Sequence, residues 1–442
     1  MSQASNELLK NLEFCVFDLE TTGGNQKSDK IIEIGLVKIR NLKIVDNKGM
    51  LINPEIKIPE FIQKLTSISQ SDVEDAPTIE EAIDEIIDFM GDSILVAHNT
   101  SFDVPFFNSV LKRLKRSQME NKSICTNLMT KYLIPGLMNS NLNYMCQIFH
   151  IEHNQAHRAL DDAMATSELL LKFLNIYIEK DINKLNHLYY PKNKYELDRI
   201  NFKFKKDEEY KNTNKQIIDK IKNIKFPFLI SIKGNNGVLD FSFPSLNTEK
   251  EAQFIIKHLE SIEWKTATIR IFGTFLEAFT HFSPGFQKLS PELREDIVNI
   301  LWDTHIPKDS ELKKGEENFN DNKISDFVIT HHIVPQQYII YPTNTLTHKN
   351  ELIFRYPTQR KKLIQFINSK ANKISSKKLS NLLPQELQNF INNYLVHSKN
   401  ISIPLLHFNK SLPQKRLKDF YKQIEQFLKE YPNPYKYPAD HI

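Results

Sequence analysis

Cysteine is scarce in these 442 residues: Cys15, Cys125 and Cys146 form no C-x-x-C pair and no even framework. That excludes a disulfide-stapled or zinc-ribbon scaffold and fits a reducing compartment. Long apolar runs are missing too. No stretch approaches the roughly 20 residues of a membrane span, and the N-terminal MSQASNELLKN lacks the apolar core of a secretory leader. The chain reads as cytoplasmic, with no membrane partner. What it has in quantity is length, enough for two or three domains at roughly 150 residues each.

Charge divides the chain. Residues 1–180 carry 25 acidic and 18 basic side chains, a net of −7, whereas the remainder carries 40 basic and 29 acidic, a net of +11. A coding bias toward lysine accounts equally well for the basic half, but not for the acidic one.

Periodicity gives the organisation. EFCVFDLE, KIIEIGLVKIR and KGMLINPEIKIP are extended runs separated by Gly and Asn turns, and they predict an antiparallel meander. TIEEAIDEIIDFMG predicts a helix opened by a capping box at Thr78 and Glu81 and stopped at Gly91. SILVAHN predicts a strand buried on both faces, SFDVPFFNSVLKRLKR a helix, and HRALDDAMATSELLLKFLNIYI a long closing helix. The expectation for 1–180 is an α/β mixed sheet flanked by helices. Residues 181–224 are polar and weakly periodic and are expected to form a linker; residues 225–442 are expected to form a basic α+β region. Within it VLDFSFPS (238–245) and ELIFRYPT (351–358) share a pattern, each followed by a helix-like segment with Gln-Phe-Ile at Gln253 or Gln365. A duplicated hairpin-plus-helix unit and a coincidence of strand grammar fit this equally.

Chemistry concentrates in four acids. Asp18 and Glu20, two apart on a strand, point to the same side. Asp103 follows the SILVA strand, and Asp161-Asp162 open the closing helix. Strand ends and helix starts of an α/β layer meet at one rim. Four acids there call for hard divalent cations, Mg²⁺ first among them with Mn²⁺ as substitute. A pair of such ions about 3.5–4 Å apart suits in-line phosphoryl displacement.

FDLETTG, HNTSFD and HRALDDA, in that order between about residues 12 and 175, resemble the three exonuclease motifs of the DnaQ-like DEDD 3′-to-5′ exonucleases, proteins of RNase H-like fold. The resemblance implies that Asp18, Glu20 and Asp162 hold one metal, that Asp18 shares a second, and that Asp103 completes the catalytic set. It also implies that His157, five residues before Asp162, is the general base of the His subclass, because the other subclass has Tyr where this chain has Arg158. Thr21, Thr22, Asn99 and Phe102 are implied along the path of the terminal nucleotide. Two departures leave the acidic set untouched: Cys125-Thr126 where relatives often have Asp-Thr, and Thr66-Ser67-Ile68 where Thr-Gly-Ile is common. On a regular helix His157 would share a face with Asp161 rather than Asp162, so the resemblance implies that His157 sits on a loop end.

Other features have plainer readings. His98 and the cysteines are expected to be structural, and His331-His332 point to opposite faces of a strand with no acidic or thiol partner in sequence. Arg355, Arg360, Lys361 and Lys362, interleaved with Phe354, Tyr356 and Phe366, form a candidate nucleic-acid patch; a solvated helix face competes with it. The expected activity is metal-dependent release of 5′-nucleoside monophosphates from a free 3′ end, on DNA before RNA. The C-terminal region would bind nucleic acid or a polymerase or repair partner. The alternatives are a nucleic-acid-binding scaffold built on an inactive nuclease fold and an RNA-trimming exoribonuclease.

Overall fold

In the computed structural model the described residues are 8–134, 136–180, 182–189, 196–204, 210–307, 326–375, 383–400, 404–408 and 417–433. They fall into two compact units, Met1–Glu196 and Leu197–Ile442.

The first unit is an RNase H-like mixed sheet. Strands β1 (Glu13–Thr21), β2 (Ile31–Arg40) and β3 (Lys43–Leu51) form the antiparallel meander, and β4 (Ile94–Ala97) and β5 (Ser123–Cys125) add in parallel, giving the order β3-β2-β1-β4-β5. Helices α1 (Glu60–Thr66), α2 (Gln70–Val73) and α3 (Ile79–Met90) join β3 to β4; the capping box of α3 is formed by Thr78 and Glu81, and Gly91 ends it. Helix α4 (Thr100–Arg113) follows β4, and α5 (Thr126–Leu133), α6 (Leu142–Phe149), α7 (Ala159–Glu179) and α8 (Leu185–Tyr189) complete the unit. One face of the sheet buries Phe17, Leu19, Ile34 and Leu36 with Ile83, Ile86, Phe106 and Phe107 of α3 and α4.

The seating of α7 on β2 depends on two residues of one strand face. A Cβ built on Gly35 would land on the Ala159 carbonyl, so only glycine lets the first turn of α7 approach this closely. Two positions earlier, buried Glu33 accepts the Ala159 N–H at 2.8 Å and holds Arg158 through Nη2 at 2.7 Å and Nε at 3.1 Å. Glu33 thus satisfies an orphan donor at the start of α7.

The second unit contains two four-stranded sheets. Strands β6 (Arg199–Lys203), β7 (Phe228–Lys233), β8 (Leu239–Ser245) and β9 (Thr266–Ile271) are ordered β6-β9-β7-β8. Strands β10 (Phe327–His331), β11 (Gln337–Pro342), β12 (Leu352–Arg355) and β13 (Leu406–Phe408) are ordered β12-β11-β10-β13. Around them lie α9 (Tyr210–Asn223), α10 (Glu249–Ser261), α11 (Phe275–Phe282), α12 (Pro291–His305), α13 (Arg360–Ser375), α14 (Gln385–Asn400) and α15 (Leu417–Glu430). The two similar segments become β8 and β12, each the edge of its sheet, the second strand of a hairpin, and followed by a helix.

The linker expected over 181–224 is corrected. Within that range β6 pairs antiparallel with β9 from Arg199 to Lys203, and α9 buries Ile217 and Ile221, with Ile224 just beyond it, in the core of the second unit. An edge strand and a strongly amphipathic helix need few apolar residues, so their composition resembles a linker.

Candidate active site

The acids reach one rim by different routes. Asp18 and Glu20 stand on the same face of β1, cross-strand from Gly35 and Glu33 respectively. Because Gly35 carries the start of α7, Asp162, in the first turn of that helix, comes over the same face. Asp103 lies in the first turn of α4 and is 4% exposed. β4 pairs with β1 only over Phe14–Val16, so β1 overhangs, and the Leu19 N–H, between Asp18 and Glu20, favours the charged form of the Asp103 carboxylate.

His157 lies in a turn before α7 with φ +65°. A ring nitrogen of His157 and a carboxylate oxygen each from Glu20 and Asp162 lie within 4.8 Å of one another, the only such group of metal-capable side chains among the described residues. Asp18 and Asp103 stand outside this trio but act on it electrostatically. Burial raises the Asp18 carboxyl well above its ordinary range, with Asp103 and Asp162 adding repulsion. Burial pushes Glu20 up to about 8, helped by Asp162 and Glu33, and burial pushes Asp103 up to about 7. Oxygen donors that resist carrying their own charge suit a hard divalent cation, which relieves the burial cost and the mutual repulsion together.

One residue that no motif indicated completes the site. His153, between α6 and α7, approaches Asp162 Oδ1 through Nε2 at 2.5 Å and Asn143 Oδ1 through Nδ1 at 2.6 Å. Its side chain is 5% exposed and that of Asp162 is 14% exposed. A histidine bonded to a ligating carboxylate fixes that carboxylate's orientation. His153→Ala is expected to weaken Mn²⁺ binding by about 10- to 100-fold, read by electron paramagnetic resonance. Partial recovery in His153→Gln, whose amide still donates, separates positioning from folding. Unchanged Mn²⁺ affinity would remove His153 from the site.

The residues implied along the nucleotide path differ in availability. Thr21 Oγ1 donates to Gly23 O at 2.7 Å and Thr22 Oγ1 accepts the Lys30 N–H at 3.0 Å, and both residues are buried. Their hydroxyls hold the turn after β1. Asn99 is the exposed residue before α4, where its Oδ1 accepts from Ser101 Oγ, and Phe102 is half-buried against Phe106. His98 is structural: it bonds Ser140 O at 2.7 Å and Thr126 Oγ1 at 3.0 Å. His331 bonds Tyr431 O, and His332 accepts the Val334 N–H.

The C-terminal patch is only partly as expected. Lys361 and Lys362 are exposed on α13, but Arg360 lies over the Tyr421 ring at 3.7 Å and Arg355 donates to Gln336. Phe354 is 1% exposed and belongs to the core beneath β12, so it cannot stack on a base. It occupies the inward position of the strand's two-residue alternation.

Comparison with known proteins places the first unit. A family model described as Exonuclease matches residues 15–170. The DNA polymerase III PolC-type of Caldanaerobacter subterraneus subsp. tengcongensis is 42% identical over 176 residues, 40% of this chain and 12% of that protein. The PolC-type polymerase of Bacillus subtilis is 38% identical over 200 residues, 44% of this chain and 14% of that protein. The chain thus spans only a small fraction of the length of these relatives. Among solved structures, one of exonuclease X in complex with 5′ overhanging duplex DNA is 28% identical, covering 37% of this chain and 91% of that one, with a TM-score of 0.31.

Proposed function

We propose, on the premise that residues 15–170 belong to the DnaQ-like exonuclease family, that this chain is a metal-dependent 3′-to-5′ exonuclease releasing 5′-nucleoside monophosphates, with DNA preferred to RNA. The observation that carries the reading is the convergence of Glu20, His157 and Asp162 beside half-buried Asp18 and buried Asp103, whose ionisation the site resists. Asp18, Glu20, Asp103 and Asp162 would hold two divalent cations, Mg²⁺ with Mn²⁺ as substitute. When bound, such ions supply positive charge to the developing phosphorane oxygens and the leaving group.

The chain's own residues do the rest. His157, exposed and on a turn, accepts a proton from the attacking water at a ring nitrogen. The Glu33–Arg158 ion pair and the Glu33 bond to the Ala159 N–H fix the residues that follow His157, so its backbone is anchored while its ring stays accessible. Asn99 and Phe102 would face the terminal nucleotide. Exposed Lys361 and Lys362, with Arg355 and Arg360 held beside them by Gln336 and Tyr421, would bind phosphate on the second unit. The DNA preference rests on likeness to polymerases of DNA, as does the proposal of a polymerase or repair partner. No helix among the described residues is long and apolar enough to cross a membrane.

The test uses 5′-labelled single-stranded DNA, duplex DNA and RNA of equal length with Mg²⁺, Mn²⁺ or EDTA. A ladder shortening from the 3′ end, abolished by EDTA and slowed by about 10²- to 10⁴-fold in His157→Ala, is expected. Faster trimming of RNA would reverse the substrate assignment. Intact substrate in every lane with a stable gel shift would leave a binding platform.

A further inference from the structure

The second unit contains a cavity of about 650 Å³ between the turn before α11, the end of α12 and α14. That is the size of a small-ligand site. Its lining combines apolar residues such as Pro227, Ile306 and Leu405 with Thr274, Asp303, Thr304 and His397, and two buried rings also line it.

The first is His305, whose side chain is 3% exposed. Its Nε2 donates to Glu251 Oε1 at 2.8 Å. Glu251 Oε2 in turn accepts from Ser245 Oγ at 3.1 Å, the Leu246 N–H at 3.0 Å and the Thr248 N–H at 3.1 Å. Burial works against the charge on Glu251, but the His305 bond and the other donors outweigh it and hold the carboxyl below its ordinary range. In the neutral ring, a carboxylate that can only accept fixes the proton on Nε2 and leaves Nδ1 as a lone-pair acceptor. Among the described residues Nδ1 has no partner.

The second is Tyr394, 5% exposed, whose hydroxyl also has no partner among the described residues. The two rings lie 6.0 Å apart at 78°, and Phe275 stacks on His305 at 4.0 Å and 30° and approaches Tyr394 at 5.3 Å. The cavity therefore offers an acceptor, a donor and an aromatic wall, with the acceptor oriented by a buried carboxylate.

We propose that this cavity binds a nucleobase, as a free nucleoside or at the end of a strand. Every nucleobase presents a donor beside an acceptor on one edge, the complement of His305 Nδ1 and the Tyr394 hydroxyl, and has a face that stacks on aromatic rings. The site is independent of the nuclease rim and of whether that rim turns over substrate.

The experiment is calorimetric titration of the full-length protein in EDTA with adenosine, guanosine, cytidine and uridine, and with indole as a planar control without the paired edge. At least one nucleoside is expected to bind with a Kd below about 1 mM. Tyr394→Phe keeps the ring and is expected to weaken that binding by about five- to tenfold with unchanged thermal unfolding, while leaving any indole binding as it was. A cavity that holds only water gives no binding by any of the four and overturns the proposal. So does an affinity that Tyr394→Phe leaves unchanged, or binding that Asp18→Asn abolishes, which would put the nucleoside at the nuclease rim.

Discussion

Asp18→Asn is expected to abolish nuclease turnover while making the metal-free protein more stable. Loss of one cation ligand removes several kcal/mol of charge stabilisation, and about 4 kcal/mol corresponds to roughly a thousandfold in rate. The stability gain comes from the mutual repulsion of the acids at the rim, the same repulsion that suits the rim to a cation under the proposed function. Asp18 is raised by burial and by Asp103 and Asp162, and Glu20 is raised to about 8 by burial and neighbouring acids. A carboxyl whose folded pKa exceeds its unfolded one imposes no cost below about pH 4, where both states are protonated. As pH rises toward 8 the unfolded chain ionises freely and the folded chain does not, so stability falls through that window. Asn at position 18 removes one acid from the set and relieves its neighbours.

Thermal unfolding in EDTA should accordingly show the wild-type protein losing stability from pH 5 to pH 8. The Asp18→Asn protein should show a shallower decline and a midpoint at pH 8 higher by about 4–8 °C, for about 2 kcal/mol in a unit of this size. Saturating Mn²⁺ should stabilise the wild-type protein far more than the variant. A variant that unfolds earlier than the wild type at pH 8 would show that Asp18 contributes packing rather than stored repulsion.

Gly35→Ala is expected to cost more than any other single methyl in the first unit. The added Cβ would meet the carbonyl of Ala159, a backbone atom that cannot rotate away. Relief requires the first turn of α7 to lift off β2, carrying Asp162 with it and straining the Glu33 bond to the Ala159 N–H. Overpacking of this kind costs about 1–3 kcal/mol, and a displacement of about 1 Å at a reacting group costs about a hundredfold in rate. Gly49→Ala is the internal control. Its Cβ would meet only the Leu160 side chain, at 3.1 Å from Cδ2, which can give way. Turnover in Gly49→Ala should stay within about threefold of wild type and the unfolding midpoint should barely move. Equal activity in the two variants would mean that α7 is not seated by the absence of a side chain at position 35.

These two substitutions mark different depths of legibility. The alternation of β1 puts Asp18 and Glu20 on one side in any sheet, and the motif order was readable without coordinates. The capping box of α3 was equally local, since Thr78 and Glu81 need only each other. Glu33 and Gly35 stand in the apolar run IIEIGLV and read as strand residues; their tasks exist only because Ala159, some 125 residues later, packs on them. His153 had no signal, because its nine-residue distance from Asp162 matches neither a helical face nor a metal motif. Phe354 stands among cations in sequence, yet the inward side of β12 claims it. Composition misled over 181–224, where an edge strand and an amphipathic helix hold enough polar residues to pass for a linker.

The sequence by itself determined the meander and the side of β1 on which Asp18 and Glu20 stand, and through its ordered motifs it pointed to Asp103, Asp162 and His157, because each of these signals depends on alternation or spacing within a few residues. Only the tertiary structure decided which oxygens meet, how far each acid resists its charge, what seats α7, and that His305 and Tyr394 share a cavity. Those properties arise from burial and from contacts between residues far apart in the chain, and no local pattern encodes the distance between them.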